Sequence, residues 1–326
     1  MSVSLSQNSA YKGSESQYAH MPILVDAVVK YLLTSTKDVY VDGTVGTGGH
    51  SEALGKRLED GGRLICLDRD PMALSLSSKR LSFLGNRVTI IKGNYKEIDE
   101  ILRGLGIVKV AGILLDLGMS SYQLDRSGRG FSFTRDEPLD MRMDPDEPLT
   151  ARELINQSPP GELERIIKEY GEEKRARILV RAIERARSKR PIESSKELAE
   201  IIRSSLSRHY RSSEKHPATR TFQALRIAVN RELENLEVFL KKAPLLVKPG
   251  GRVVILSYHS LEDRMVKRCM VEWERQCDCP RDFPVCKCGR KPLFRRLTKR
   301  GIRPEQEEIA RNPRARSAIL RAAQRL

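Results

Sequence analysis

This chain of 326 residues predicts a doubly wound α/β sheet interrupted by an all-helical insertion. Short β-branched or apolar runs alternate with helical patterns through the first third. From about residue 150 to 215 helix signals continue without any strand pattern, and a strand-like run then returns at Gly250 to Leu256. Single domains usually hold about 100 to 200 residues, so the length admits a full core plus an accessory module. The expected organisation is a sheet domain begun by 1–135, a helical insertion over 136–215, and completion of the sheet domain by 216–326 with a basic, cysteine-rich end.

The first strands are expected at Val39 to Val41, Leu64 to Leu67, Val88 to Ile91 and Gly112 to Leu117. Each is short and apolar enough to be a buried parallel strand. Asp70 followed by Pro71 reads as an N-cap with proline at the first helical position, opening a helix towards Leu84. Right-handed crossovers place the carboxyl ends of these strands along one edge, where Asp42, Asp68, Asp116 and the turn Gly93-Asn94-Tyr95 fall.

Residues 120–148 read as one long polar loop carrying Tyr122, Phe131 and Phe133, three aromatics available for stacking. Capping boxes at Thr150 to Glu153 and Ser194 to Glu197 open helices, and Ser158-Pro159-Pro160 starts another that stops at Gly171. From His216 onward, apolar residues at 222, 225, 229, 233, 236 and 240 make one helical face. Arg220, Gln223, Arg226 and Asn230 form a second stripe that favours a binding face. A fifth strand runs into Ser257-Tyr258-His259-Ser260, a helix spans Leu261 to Val271, and the last strands are expected near Phe294 to Thr298 and Ala318 to Ala323.

The turn after the first strand reads Asp42-Gly43-Thr44-Val45-Gly46-Thr47-Gly48-Gly49-His50. Glycines without a Cβ let the backbone approach a cofactor, and a carboxylate about 20 residues on, here Asp68, suits ribose hydroxyls. The G-x-G-x-x-G dinucleotide spacing fails, because counting from Gly46 the third glycine is replaced by Ser51. A nucleoside cofactor without a pyrophosphate fits better, as in the first motif of S-adenosylmethionine-dependent methyltransferases. A nicotinamide oxidoreductase accounts for the βαβ unit alone.

Net charge is +16, and Arg281 to Leu326 contributes 14 basic against 4 acidic residues. Such segregation points to a polyanionic partner, nucleic acid above all. A non-catalytic RNA-binding protein would share that charge but leaves the acidic strand ends unexplained. The first twenty residues lack an apolar h-region and no run approaches the roughly 18 apolar residues of a membrane span, so a cytoplasmic location and no membrane partner are expected. Four of six cysteines crowd together as Cys277, Cys279, Cys286 and Cys288, a spacing that could hold a structural zinc ion. Cys66 reads as a small buried hydrophobe.

Taken in order, His20-Met21-Pro22, the glycine turn, Leu115-Asp116-Leu117-Gly118-Met119-Ser120-Ser121, Gly130-Phe131-Ser132-Phe133, Leu139 to Asp144, His216 to Gln223, Ser257 to Arg264 and Asn312-Pro313-Arg314-Ala315-Arg316 resemble the MraW/RsmH family of small-subunit ribosomal RNA methyltransferases H. The resemblance spans nearly the whole chain. It implies a class I (Rossmann-like) methyltransferase sheet, an inserted domain for substrate recognition, and S-adenosylmethionine as methyl donor. It further implies that the acceptor is the exocyclic N4 of a cytidine, cytosine-1402 in the decoding region of 16S rRNA, within the small ribosomal subunit. An amino-methyltransferase acting on another RNA or on DNA is the alternative, although Asp116-Leu117-Gly118-Met119 stands where a DNA enzyme would carry Pro-Pro-aromatic.

By the same resemblance, Gly48, Gly49, His50, Asp68, Tyr95, Asp116 and Gln123 would hold the cofactor. Asp116 could grip the cofactor's ammonium group or accept from the cytosine amine. Asp116, His259 and Ser260 are the catalytic candidates, with no general base assigned. Transfer to N4 requires no covalent intermediate, which agrees with the lack of a Pro-Cys pair. Oligomeric state is left open, a homodimer included.

Overall fold

A computed structural model describes residues 22–207, 216–279, 285 and 287–326. His20, Met21 and Cys286 of the sequence reading lie outside the described residues. Seven strands form one sheet: β1 (Val39–Asp42), β2 (Arg63–Asp68), β3 (Val88–Lys92), β4 (Val110–Asp116), β5 (Val247–Ser257), β6 (Phe294–Arg296) and β7 (Ile319–Arg325). Their order is β3-β2-β1-β4-β5-β7-β6, parallel up to β5, with β7 antiparallel to both neighbours. This is the expected class I sheet.

Strand burial explains the sequence pattern. β4 is buried from Val110 to Leu115, and Val41, Ile65 and Leu115 point into one apolar layer while Tyr40, Leu64 and Leu114 point into the other. Strands covered on both faces need apolar residues at every position, which is why they read as continuous runs. Register aligns the carboxyl ends: Asp42 pairs with Cys66 and Leu114, Asp68 with Lys92, and Asp116 with Leu256.

Helix α1 (Val25–Leu32) packs on β4, β5 and β7, α2 (Gly49–Gly55) on β2, and α3 (Pro71–Leu81) on β2 and β3, while α4 (Ile98–Gly104) precedes β4. Asp70 caps α3 as expected, its side chain accepting from Met72 N at 3.0 Å. The stretch after β4 is not wholly a loop. Ser120 and Gln123 form a reciprocal capping box that opens α5 (Ser121–Arg126), a device the glycine-rich surroundings masked. Phe131 is buried in a helical core, and Phe133 stacks on His216 with ring centroids 4.5 Å apart and meets the edge of Phe222 at 5.4 Å. Both rings are therefore occupied by the protein itself.

The insertion consists of α6 (Ala151–Gln157), α7 (Pro160–Glu169), α8 (Ala176–Arg187) and α9 (Ser195–Leu206). The Thr150 capping box is complete. At α9 only half of it forms, because Ser194 accepts from Glu197 N while Glu197 turns to the backbone of Glu193 at 3.1 Å. The helical core takes in Leu139, Met141 and Met143 before α6 and Phe222, Leu225 and Val229 after α9. With Phe131 in the same core, packing extends beyond 136–215 on both sides.

The single apolar face expected from 222 to 240 is two helices, α10 (Ala218–Asn230) and α11 (Glu232–Leu246), separated by Arg231 at φ 49°. A left-handed residue turns the chain, and the first helix joins the insertion core while Leu236, Phe239 and Leu240 of the second join the sheet core. The polar stripe of α10 is not an open binding face. Gln223 donates to Tyr170 O at 3.0 Å, Asn230 bridges Met141 O and Met143 N at 2.8 Å each, and Arg220 faces Glu173. The stripe staples the segment after β4 to the helices. After β5, α12 (Ser260–Trp273) and α13 (Gln306–Arg311) complete the chain's helices among the described residues.

Candidate active site

A cleft opens over the carboxyl ends of β1 to β4, where the parallel strands hand their chains to turns. Its floor is the glycine turn. Gly46 and Gly48 have φ of 51° and 84°, conformations that disfavour any side chain. Gly46 N donates to Asp68 Oδ2 at 2.9 Å and Val45 N to Leu67 O at 2.8 Å, so the turn is stitched to β2.

The predicted cofactor residues separate into two groups. Gly49, His50, Asp68, Tyr95, Asp116 and Gln123 line the cleft. Gly48 does not: a Cβ there would stand 3.3 Å from that of Ser77, so its duty is close packing on α3. Gln123 is buried, and its amide is already engaged, donating to Asp70 at 2.9 Å and accepting from Ser120 N at 3.1 Å. Asp68 accepts one backbone N–H on each oxygen, from Gly46 and from Asp70. Burial, the strongest influence, raises its pKa despite those two bonds, and each oxygen retains a lone pair for a further donor. Tyr95 stands edge-on to Phe239, and burial keeps its hydroxyl neutral.

Asp116 is the most constrained group. Its backbone N donates to Thr44 Oγ1 at 2.6 Å, Tyr258 OH donates to Oδ1 at 2.7 Å, and His50 Nδ1 lies 3.3 Å from Oδ2. The other ring nitrogen of His50 is 2.9 Å from Ile23 O. A carbonyl oxygen can only accept, so Nε2 carries a proton, and Nδ1 needs one too to face a carboxylate. The ring is therefore an imidazolium when Asp116 is ionised. Burial, the largest single influence, pulls its pKa down, but the hydrogen bond and charge of Asp116 outweigh it and the net shift is upward. Below the turn, burial pushes the Asp42 carboxyl up to about 6, opposed by the Ser51 hydroxyl at 2.6 Å.

The opposite wall holds residues that motif reading had not joined to the site. Arg226 donates through Nε and Nη2 to the two oxygens of Glu232, both at 2.8 Å and both buried, and Glu262 accepts from Tyr258 N at 2.9 Å. All line the cleft, as does Arg314, which donates to Ser121 and Asp125 at 2.7 Å each. Arg226 was visible in the α10 stripe, but only its buried partner Glu232 marks it as part of a cleft.

His259 and Ser260 lie just behind this wall and do not line it. His259 Nδ1 caps α12 and its Nε2 is 3.2 Å from Glu262, whereas the Ser260 hydroxyl donates to Glu172 in the turn between α7 and α8. Apart from the cleft, the thiols of Cys277, Cys279 and Cys288 converge with their sulfurs within 4.8 Å of one another.

The profile of the MraW methylase family matches residues 17–326. The chain belongs to that family. It is 46% identical over 310 residues to the ribosomal RNA small subunit methyltransferase H of Heliobacterium modesticaldum, covering 95% of this chain and 99% of the relative. The same-named proteins of Carboxydothermus hydrogenoformans and Geobacter sulfurreducens are 48% and 47% identical over the same 95% of the chain, covering 99% of each. The cleft offers carboxylate oxygens at Asp68 and Asp116 and exposed backbone at the glycine turn. Among the described residues that line it, neither a cysteine nor a lysine offers a nucleophile.

Proposed function

We propose that the protein methylates the exocyclic N4 of a cytidine, cytosine-1402 in the decoding region of 16S rRNA, using S-adenosylmethionine. One observation carries the amino-group reading: the cleft presents a fixed carboxylate acceptor, Asp116, and no cysteine thiol among the described residues that line it. Methylation at a pyrimidine carbon needs a thiolate that adds to the ring. Cys66 sits beneath the turn, fully buried, its thiol pushed far up by burial. The ribosomal RNA substrate is supported by the names of the relatives and by the chain's net charge of +16.

The donor set fits the cofactor. Asp68 has lone pairs left for two ribose hydroxyls, Tyr95 provides an aromatic wall for a purine, and the turn brings bare backbone to the cleft. When bound, S-adenosylmethionine supplies an electrophilic methyl group on a sulfonium. The residues contribute position: Asp116, held in place by Tyr258 and His50, accepts an N–H from the cytosine amine or from the cofactor's ammonium group, and the walls exclude water. The base leaves its stack to reach the cleft. Nucleoside mass spectrometry of small-subunit RNA from cells with and without the gene tests the reading. Loss of N4-methylcytidine derivatives from the decoding site is expected, and their persistence overturns it.

We also infer a structural zinc ion at the four clustered cysteines, of which Cys277, Cys279 and Cys288 are among the described residues. The sulfurs of Cys277 and Cys288 are 3.8 Å apart, which is about the edge of a tetrahedron with metal–sulfur bonds of about 2.3 Å. Backbone N–H groups of Asp278, Cys279 and Lys287 point at the three sulfurs at 3.3, 3.3 and 3.4 Å, as suits thiolates. Elemental analysis of the purified protein should find zinc, with thiols becoming reactive on chelation; freely reactive thiols and no metal remove the site.

A further inference from the structure

The insertion carries a charge feature that the cleft chemistry does not use. Between Lys174 and Arg190 the chain has eight basic residues and one acidic residue, Glu184. Ala176, Leu179, Val180 and Ile183 of α8 are buried in the helical core, while Arg177, Arg181 and Arg185 are exposed on another side of the same helix. Steps of four residues advance about 6 Å along the axis and about 40° around it, so the three guanidiniums form one row.

Neighbouring helices show what a merely solvated face looks like. In α7 Arg165 pairs with Glu169, and in α9 Arg203 pairs with Glu200. On α8 none of the three arginines has an acidic partner among the described residues, and Glu184 is turned to Arg187. Other basic groups of the segment are engaged: Arg187 donates to the carbonyls of Ile155 and Ser158, and Arg190 pairs with Glu197. The turn that precedes the row also ties back to the segment behind the cleft wall. Glu172, five residues before Arg177, accepts from Ser260 and from Arg264, and Ser260 follows the cleft residue Tyr258 by two positions.

We propose that Arg177, Arg181 and Arg185 form a track for the sugar–phosphate backbone of the RNA that flanks the nucleotide entering the cleft. This rests on the RNA-methylation reading above. Guanidiniums are weakly hydrated, fork-shaped donors matched to phosphate oxygens, and a row of them holds a strand in register without reading its sequence. A lipid surface is a poorer match, because a membrane-bound helix presents its apolar face outward and that of α8 is buried.

The test is the triple variant R177Q/R181Q/R185Q, since glutamine keeps helix propensity close to that of arginine. Its affinity for purified small-subunit ribosomal RNA is measured against salt, with S-adenosylhomocysteine affinity as the check on folding. Each phosphate contact contributes about 0.7 to 0.9 to the slope of log affinity on log salt, so the slope should fall by about 2 to 3. Cofactor affinity should be unchanged, and the triple lysine variant should restore most of the slope. If wild-type protein binds this RNA with a steep slope and the glutamine variant keeps it, the track is wrong while the parent reading stands. If wild-type protein shows no salt-dependent affinity for this RNA, both fall.

Discussion

The two walls of the cleft are built differently. The glycine-turn wall comes from a compact stretch of chain, with Gly46, Gly49, His50, Asp68 and Tyr95 all within the first three strand–helix units. The facing wall draws Arg226, Glu232, Tyr258, Glu262 and Arg314 from α10, α11, the end of β5, α12 and the segment before β7. The first wall holds its groups by backbone hydrogen bonds, as when Gly46 and Asp70 fix Asp68. The second holds charge against charge in a buried setting. Local geometry tolerates the loss of a side chain better than a desolvated ion pair tolerates the loss of one partner.

The sharpest challenge to that contrast is Arg226→Ala. It strands the Glu232 carboxylate, and removing one member of a buried pair costs about 3 to 5 kcal/mol. A large drop in the urea midpoint is expected with an unchanged m-value, and a drop below about 1 kcal/mol would place the pair in solvent-like surroundings.

Asp68→Ala, on the other wall, should leave the fold nearly intact and weaken cofactor binding. Losing hydrogen bonds to a charged acceptor costs about 1.5 to 3 kcal/mol, or roughly 10- to 150-fold in affinity. Calorimetry with S-adenosylhomocysteine reads it, and unchanged affinity would remove Asp68 from the site.

The smallest effect is a pH dependence at the seam between the walls. His50 has a folded pKa raised above its ordinary 6.5. The stability it gains from Asp116 is thus full below about pH 6.5 and is lost as pH climbs through the raised value. The other titratable groups facing this pair are Asp42 under the turn, Tyr258 from the end of β5, and Glu308, which bonds Leu24 N beside Ile23. Thermal melts from pH 5 to 9 should show wild-type protein losing stability on the alkaline side relative to His50→Gln. Parallel profiles would mean the ring is singly protonated throughout.

Much of the first wall was legible because it is short-range. The turn, its Asp68 and the Asp70 cap are each encoded within a few residues, and β1, β2 and β4 read as apolar runs because both faces are covered. The single helix expected from 216 to 240 misled for a comparable reason. Apolar spacing continues in phase through Arg231, and nothing local announces the left-handed residue that sends α10 and α11 to different cores. The same break brings Glu232 back onto Arg226, so the missed turn and the missed buried pair are one event. Phe131 and Phe133 looked free for stacking because their partners, the insertion core with Phe222 and His216, lie far along the chain.

Sequence alone determined the sheet class, the run of helices between β4 and β5, the glycine turn and the positive charge, since each follows from backbone stereochemistry, periodicity or net charge acting over a few turns of chain. Tertiary structure alone decided which polar groups became a wall, which became staples and which stayed in solvent. Arg226, Asn230 and Arg177 are alike as letters on amphipathic helices. Only long-range packing sets their burial and their partners, and with those the strength of every charge they carry.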